Sequence, residues 1–274
     1  MAVYSLDGTP LKCIKSIGHR GYSATAPENT IPAYELSVTN GYKYVECDVS
    51  FTSDGVPMLL HDSTIDRTSN GSGTLSQMTY DQVRQYDFGS WKSSAYAGTV
   101  IPTLAEFLDF CADNDLHPYI ELKNNATYTQ AQIEGIVDMV ELYGLKGKCT
   151  YISFSSTYLQ YVKNYDDEAR LGFVVSSVSS STISTAVGLR TGKNSVFLDS
   201  SSYGSSVIAS CKAANLPLEA WTFTSLSSAA TLNAYISGAT ANSGSPSDLE
   251  SYQEVFDTNG MPLDTVYTIN GLVM

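Results

Sequence analysis

The stretch IKSIGHRGYSATAPENTIPAYELSVTNGYKYVECDVS, residues 14–50, reads as strand, helix, strand. A short β-rich run over 14–19 ends in Gly18-His19-Arg20-Gly21, where the glycines let the backbone turn sharply. Pro27-Glu28-Asn29-Thr30 then opens an amphipathic segment over 30–39, with Asn29 or Thr30 as N-cap and Pro32 in the first turn. The second strand covers 44–50. Side chains alternate faces along a strand, so Glu46 and Asp48 share one face while Val45, Cys47 and Val49 share the other.

The same alternation continues outward from this unit. Strand candidates follow at 57–61, 117–123, 149–154, 170–176, 195–199 and 217–223, and helical patterns fall at 103–113, 128–143 and 205–214. Leu104, Phe107, Leu108 and Cys111 illustrate the helical spacing. Eight strands with intervening helices in 274 residues argue for a closed α/β barrel, the (β/α)8 TIM barrel, over an open doubly wound sheet. Residues 62–101 fit no helix between strands. Asn70-Gly71-Ser72-Gly73 and Gly89-Ser90-Trp91 mark them as a small insertion after the third strand, lying over one barrel mouth. The expectation is a single barrel domain over 1–274. The Ser-rich stretch 176–184 and the polar stretch 241–251 read as loops, and no internal repeat is visible.

Composition narrows the class of function. The formal charge is −13, which speaks against nucleic acid and for metal cations as the positive partners. Only 16% of residues are charged, and a surface built on Ser, Thr, Asn, Gly and 19 Tyr leans toward an exported or surface-attached protein. The five cysteines, Cys13, Cys47, Cys111, Cys149 and Cys211, are scattered and odd in number, so buried free thiols are expected rather than a zinc site or a disulfide framework. No apolar run is long enough to span a membrane. No secretory signal stands at the start, but Met1 is compatible with an added start on an excised domain, so the compartment stays open.

In a parallel barrel the reactive side chains sit at the C-terminal strand ends. Those ends carry His19-Arg20, Glu46-Cys47-Asp48, His61-Asp62, Glu121-Leu122-Lys123 and Trp221. Two carboxylates on one inner face repel each other and are costly to bury, and a cation removes both problems. Ion pairing with Lys123 or Arg20 would account for one such carboxylate. Three at one mouth, without cysteine or closely spaced histidine, suit a hard divalent ion, Mg²⁺ or Ca²⁺. His19 and His61, two of the three histidines, make a candidate acid–base pair. Arg20 can hold a phosphate oxygen by paired hydrogen bonds and Lys123 can add a point charge. The combination points to phosphoryl chemistry more than to glycoside hydrolysis. His117, before Pro118 at the opposite barrel end, reads as structural. Glu28 is a further candidate metal ligand, though bracing its loop or Arg20 is the favoured reading; Arg67 is expected to pair locally, and Trp221 to be either core or a substrate-facing wall.

Taken together, His19-Arg20-Gly21, Pro27-Glu28-Asn29-Thr30, Glu46-x-Asp48, His61-Asp62 with Asp66-Arg67-Thr68 and Asn70-Gly71, Glu121-Leu122-Lys123 and Trp221-Thr222 closely resemble the glycerophosphodiester phosphodiesterase family. The resemblance implies a (β/α)8 barrel that hydrolyses glycerophosphodiesters to glycerol 3-phosphate and an alcohol with a divalent metal. It implies Glu46, Asp48 and Glu121 as metal ligands, His19 and His61 as the acid–base pair, and Arg20 and Lys123 at the phosphate. Residues 62–101 would shape the alcohol end of the pocket. One departure stands out. Family members end with a strand like Asp-Gly-Ile-x-Thr-Asp-x-Pro after the Trp-Thr motif, whereas this chain has YISGATANSGSPSDLESY and continues to VYTINGLVM. That puts the barrel's closing segment and substrate selection in question. Competing readings are a hydrolase of polymeric glycerophosphate such as teichoic acid, a barrel that only cyclises its substrate, and an inactive glycerophosphate-binding module of a larger surface or phage-tail protein.

Overall fold

The computed structural model describes residues 15–124, 127–229 and 236–246, together with two-residue strands at 3–4, 10–11, 268–269 and 272–273. Cys13, Ile14 and the part of the 241–251 loop beyond 246 lie outside the described residues, as does most of VYTINGLVM.

The principal sheet comprises β1 (Lys15–Gly18), β2 (Tyr44–Phe51), β3 (Pro57–Leu59), β4 (His117–Leu122), β5 (Thr150–Ser153), β6 (Arg170–Val175), β7 (Val196–Ser200), β8 (Leu218–Phe223) and β9 (Ile236–Ala241). All except β3 are parallel, and β1 pairs with both β9 and β2, which closes an eight-stave barrel. Around it run α1 (Ile31–Thr39), α2 (Tyr80–Val83), α3 (Leu104–Asp113), α4 (Gln130–Leu142), α5 (Ser156–Tyr165), α6 (Ser180–Gly188) and α7 (Ser205–Ala213). Local sequence fixes where the helices begin. Thr103 with Glu106, and Thr129 with Gln132, form reciprocal capping boxes that satisfy first-turn N–H groups of α3 and α4. Among the described residues no helix is long and apolar enough to cross a membrane.

Strand alternation sorts the core into two shells. Ile17, Tyr44, Tyr119, Ile152, Val174 and Phe197 form a cluster inside the barrel. Val45, Cys47, Val49, Ile120 and Leu122 pack with helix residues such as Leu104, Phe107 and Ile133 outside it. Glu46 and Asp48 stand two and four residues after inward-facing Tyr44, so they point into the barrel as their spacing dictates. Cys47, Cys111, Cys149 and Cys211 are buried free thiols.

The structure corrects the strand inventory in two places. The 57–61 run is not a stave: β3 pairs antiparallel with β2, Leu59 opposite Val49. The five residues between them, with Asp54-Gly55 at the turn, suit a hairpin and are far too few for a parallel crossover. The eighth stave is instead β9, ISGATA, within the stretch that departs from the family's closing-strand pattern. Its small residues give little hydrophobic signal, yet Ala239 and Ala241 are fully buried. The Ser-rich 176–184 stretch is also more ordered than a loop, because Ser179 and Thr182 cap each other and start α6. The 62–101 insertion packs on its own cluster of Met58, Leu60, Ile65, Leu75, Val83, Phe88 and Ile101.

A buried charge cluster crosses the barrel interior. Glu219 Oε1 accepts from Lys15 Nζ at 2.9 Å, Arg170 Nη2 at 3.1 Å and the Tyr119 hydroxyl at 3.4 Å. Gly238 makes room for it, since a Cβ there would meet the Glu219 Cδ at 2.7 Å. Removing one partner of a buried ion pair typically costs about 3–5 kcal/mol. Glu219→Ala should therefore lower the urea midpoint by an amount equivalent to several kcal/mol, and a change within error would show the cluster to be energetically neutral.

Candidate active site

The C-terminal mouth of the barrel gathers the candidate residues. Glu46 and Asp48 come from β2 and Glu121 from the neighbouring β4, where Asp48 is the register partner of Glu121. A ligand oxygen from each of the three lies within 4.8 Å of the others. All are buried, Glu46 at 2% and Asp48 at 0% exposure, and Glu46 Oε1 has no hydrogen-bond partner among the described residues. Lys123 Nζ lies 3.1 Å from Asp48 Oδ1 and 2.9 Å from Glu121 Oε1. Arg20 reaches in from the β1 end, with its Nε 3.2 Å from Asp48 Oδ2. Its backbone N–H donates to Glu46 Oε2 at 2.8 Å, a bond that the left-handed backbone at Arg20 (φ 55°) helps aim. Gly21 follows at φ 77°, and a Cβ there would strike the Ala33 backbone at 2.7 Å. The glycine is needed for α1 to pack against this turn.

Burial and crowding set the protonation of these acids. Burial, then the neighbouring carboxylates Asp48 and Glu121, push Glu46 well above the usual carboxylate range. Burial and Asp48 likewise raise Glu121 to about 7. Burial also works against the Asp48 carboxylate, but Lys123 and Arg20 outweigh it and hold Asp48 well below its ordinary value. Asn29 adds a bond from Nδ2 to Asp48 Oδ2 at 2.8 Å.

The two imidazoles are each oriented through Nδ1. His19 Nδ1 is 2.7 Å from Asn242 Oδ1, an acceptor, so Nδ1 carries the proton and Nε2 is left free. Burial and the Arg20 charge lower the His19 pKa to about 4. His61 Nδ1 is 2.7 Å from Asp62 Oδ1, which fixes its ring in the same sense. The hydrogen bonds of Arg67 hold Asp62 down at about 2.

Arg67 pairs farther than its immediate neighbours. Besides Asp62, at 2.7 Å from Nε to Oδ2, it donates from Nη1 and Nη2 to both oxygens of Glu28 at 2.8 Å. Glu28 also accepts from Arg20 Nη1 at 2.7 Å. Glu28 thus braces Arg20 and stands outside the three-carboxylate group. A continuous chain of charge-assisted bonds joins His61, Asp62, Arg67, Glu28 and Arg20. Lysine cannot reproduce the forked geometry, so Arg67→Lys should lower kcat about tenfold, comparable with the loss of an outer-sphere partner. Its melting temperature should change little because lysine keeps the charge and 45% of the side chain is exposed. Steady-state kinetics beside a thermal melt separates the two effects.

His19, Arg20, Glu46, His61, Glu121 and Lys123 line one cavity of about 250 Å³. Its lining also includes Ile152, Phe154, Val174, Asp199, Trp221 and Thr240. Trp221 is therefore a wall residue, with its ring edge-on to Phe154 at 5.7 Å and its Nε1 donating to the Asp199 carbonyl at 3.1 Å. His117 sits at the other end of β4, buried against the Tyr44 ring at 4.9 Å. The sequence reading missed Asn29, Asn242, Phe154 and Asp199. Asn242 follows β9, the strand that gave no signal. Asp199 ends the 195–199 strand candidate, so its position alone could have nominated it.

An α/β barrel with a mixed acidic and basic centre, suited to an anionic ligand at the C-terminal stave ends, is the class this arrangement defines. The family model for the glycerophosphoryl diester phosphodiesterase family matches residues 19–238, and the chain belongs to that family. Glycerophosphodiester phosphodiesterase 1 of Rattus norvegicus is 36% identical over 146 residues, 52% of this chain and 44% of that protein. A glycerophosphodiester phosphodiesterase of Caldanaerobacter subterraneus is 32% identical over 158 residues, 58% of this chain and 65% of that one. The matched regions thus span less than two thirds of either relative. Among solved structures, an Oleispira antarctica phosphodiesterase in complex with the product sn-glycerol-3-phosphate superposes with a TM-score of 0.73 at 28% identity, covering 86% of this chain and 95% of that one. An Agrobacterium tumefaciens glycerophosphodiester phosphodiesterase superposes with a TM-score of 0.69 at 24% identity, covering 86% and 98%.

Proposed function

We propose that this barrel hydrolyses glycerophosphodiesters to glycerol 3-phosphate and an alcohol, with a divalent metal and histidine acid–base catalysis. The observation that carries this reading is one cavity lined by two oriented imidazoles, two cations and members of a three-carboxylate cluster.

The donor set fits a divalent ion. Among the described residues, the three buried carboxylates have Arg20 and Lys123 as ion-pair partners, and Glu46 Oε1 is a buried acceptor without a partner. Hard oxygen ligands favour Mg²⁺ or Ca²⁺ over softer metals. Held by Glu46, Asp48 and Glu121, such an ion would supply positive charge for the non-bridging phosphate oxygens. The side chains do the rest. Arg20 and Lys123 present their remaining N–H groups to the same phosphate, held in place by Glu28, Asp48 and Glu121. His19, kept neutral, takes the proton of the attacking hydroxyl at Nε2 as that oxygen bonds to phosphorus. His61, entering the step as the imidazolium with its Nδ1–H on Asp62, gives its Nε2 proton to the departing alcohol oxygen as its P–O bond breaks. The attacking hydroxyl is water or the neighbouring glycerol hydroxyl. In the second route a cyclic phosphate forms, and water opens it with the two imidazoles exchanging roles.

Incubation with glycerophosphocholine, glycerophosphoethanolamine and bis(p-nitrophenyl) phosphate, each with Mg²⁺, Ca²⁺ or chelator, tests the reading. Metal-dependent turnover is expected; no turnover of any diester under any of these conditions would sink it. The relatives named above carry phosphodiesterase names, and neither the teichoic-acid reading nor the binding-only reading draws support from them.

A further inference from the structure

Asp199 is the one acidic side chain of the cavity that the proposed chemistry leaves unused. It is 3% exposed, and its Oδ1 has no hydrogen-bond partner among the described residues. A buried carboxyl oxygen without a partner is costly, and such groups call for an explanation. Its place in the barrel narrows the explanation. Stave β7, which carries Asp199, lies four staves from β2 in either direction, directly across from Glu46 and Asp48. Stave β8, which carries Trp221, stands across from β4 and Glu121 in the same way. One wall therefore holds the charges suited to phosphate. The other offers aromatic and aliphatic faces, with the Asp199 carboxyl and the threonines Thr222 and Thr240 among them.

We propose that Asp199 is a specificity residue for the glyceryl half of the substrate: its carboxyl hydrogen-bonds the terminal glycerol hydroxyl, the one remote from phosphate, while the Trp221 ring packs against the glycerol carbons. This rests on the phosphodiesterase reading above and names what that reading leaves open. The chemistry favours a hydroxyl over a cation. Burial, with Glu219 and Glu121 as the charges acting on it, pushes the Asp199 carboxyl well above the usual range. The unpartnered Oδ1 is a buried acceptor that a substrate hydroxyl can satisfy by donating to it. A pocket built to bond a hydroxyl also discriminates strongly against an analogue that lacks it.

The test pairs a change in the protein with a change in the substrate. Wild-type enzyme is compared on glycerophosphocholine and on the phosphocholine diester of propane-1,2-diol, which keeps the hydroxyl next to phosphate and lacks the terminal one. The expected result is a roughly 10- to 100-fold lower kcat/KM on the deoxy substrate, the scale of a lost buried hydrogen bond. Asp199→Leu should fall by a similar factor on glycerophosphocholine, mainly through KM, yet act on the deoxy substrate and on bis(p-nitrophenyl) phosphate within about twofold of wild type. Asp199→Asn, which still donates and accepts, should retain most activity. Equal rates of the wild-type enzyme on both diesters would overturn the proposal whether or not any variant folds. So would an Asp199→Leu defect of the same size on every substrate, or a defect confined to choline and ethanolamine diesters, which would mean the carboxylate meets an ammonium group. If the wild-type enzyme cleaves no diester at all, the function proposed above fails and takes this inference with it.

Discussion

Glu46→Gln is expected to lower kcat/KM for every diester by roughly 10³-fold and to abolish the thermal shift produced by Mg²⁺ or Ca²⁺. The first figure follows from several kcal/mol of transition-state charge stabilisation at a rate factor of ten per 1.36 kcal/mol. The second follows from proton linkage. Glu46 and Glu121 have folded pKa values raised by burial and by neighbouring carboxylates, Glu121 from 4.5 to about 7. A carboxyl raised in the folded state contributes stability that is fully present below its ordinary value. That stability is lost as the pH rises through the folded value. Asp48 has the opposite sign, and its contribution declines only as pH falls below its ordinary value of 3.8, so it does not interfere near neutrality. His19 and His117, each lowered from 6.5 to about 4, act with the opposite sign and add stability as the pH rises toward 6.5, so the chelated protein should lose melting temperature between about pH 6.5 and pH 8. Metal at about 100 times its Kd adds about 2.7 kcal/mol, a shift of roughly 5–10 °C for a chain of this size. The shift should be large at pH 8 and small at pH 5, where protons compete for the same oxygens. Scanning calorimetry with metal and with chelator at about pH 5, 6.5 and 8 checks this. A pH-independent shift, or one that survives in Glu46→Gln, would place the ion elsewhere.

How much of this was legible beforehand depends on range. Alternation along YVECDVS put Glu46 and Asp48 on one face because strand geometry is local, and the structure agrees. The Thr-x-x-Glu and Thr-x-x-Gln helix starts are equally local. The closing stave was not legible, because Ala239 and Ala241 are buried by their neighbours rather than marked by size. Its loss hid Asn242, which reaches His19 across 223 positions. Arg67 was expected to pair locally, and it bonds Asp62, but its second partner, Glu28, is 39 residues away. Sequence spacing predicts which side chains share a strand face or a helix turn. It does not predict which loops meet above the barrel, and the group that orients His19 and the Glu28 partner of Arg67 are set there.

That orientation gives the other large expected effect. His19→Ala and His61→Ala should each lower kcat on glycerophosphocholine by roughly 10²–10⁴-fold, the range for removing a positioned acid or base. KM and melting temperature should change little, because both side chains line the cavity rather than fill the core. The two variants then separate by leaving group. p-Nitrophenolate departs readily without a proton, so an enzyme lacking its general acid suffers less on bis(p-nitrophenyl) phosphate. If His61 is the acid, the His61→Ala defect should shrink by at least about tenfold on that substrate, while the His19→Ala defect persists, since the attacking hydroxyl still needs its base. The pH profile supplies an independent reading. Burial and the Arg20 charge keep His19 neutral down to about 4, so activity limited by this base would fall only as the pH drops through that value. Metal loss through Glu121 would cut activity nearer 7 at low metal concentration. Saturating metal should move the acid limb from the higher value toward the lower one. A limb that stays near 7 at saturation would argue against His19 as the base. A leaving-group pattern with the two variants interchanged would assign the base to His61 and the acid to His19.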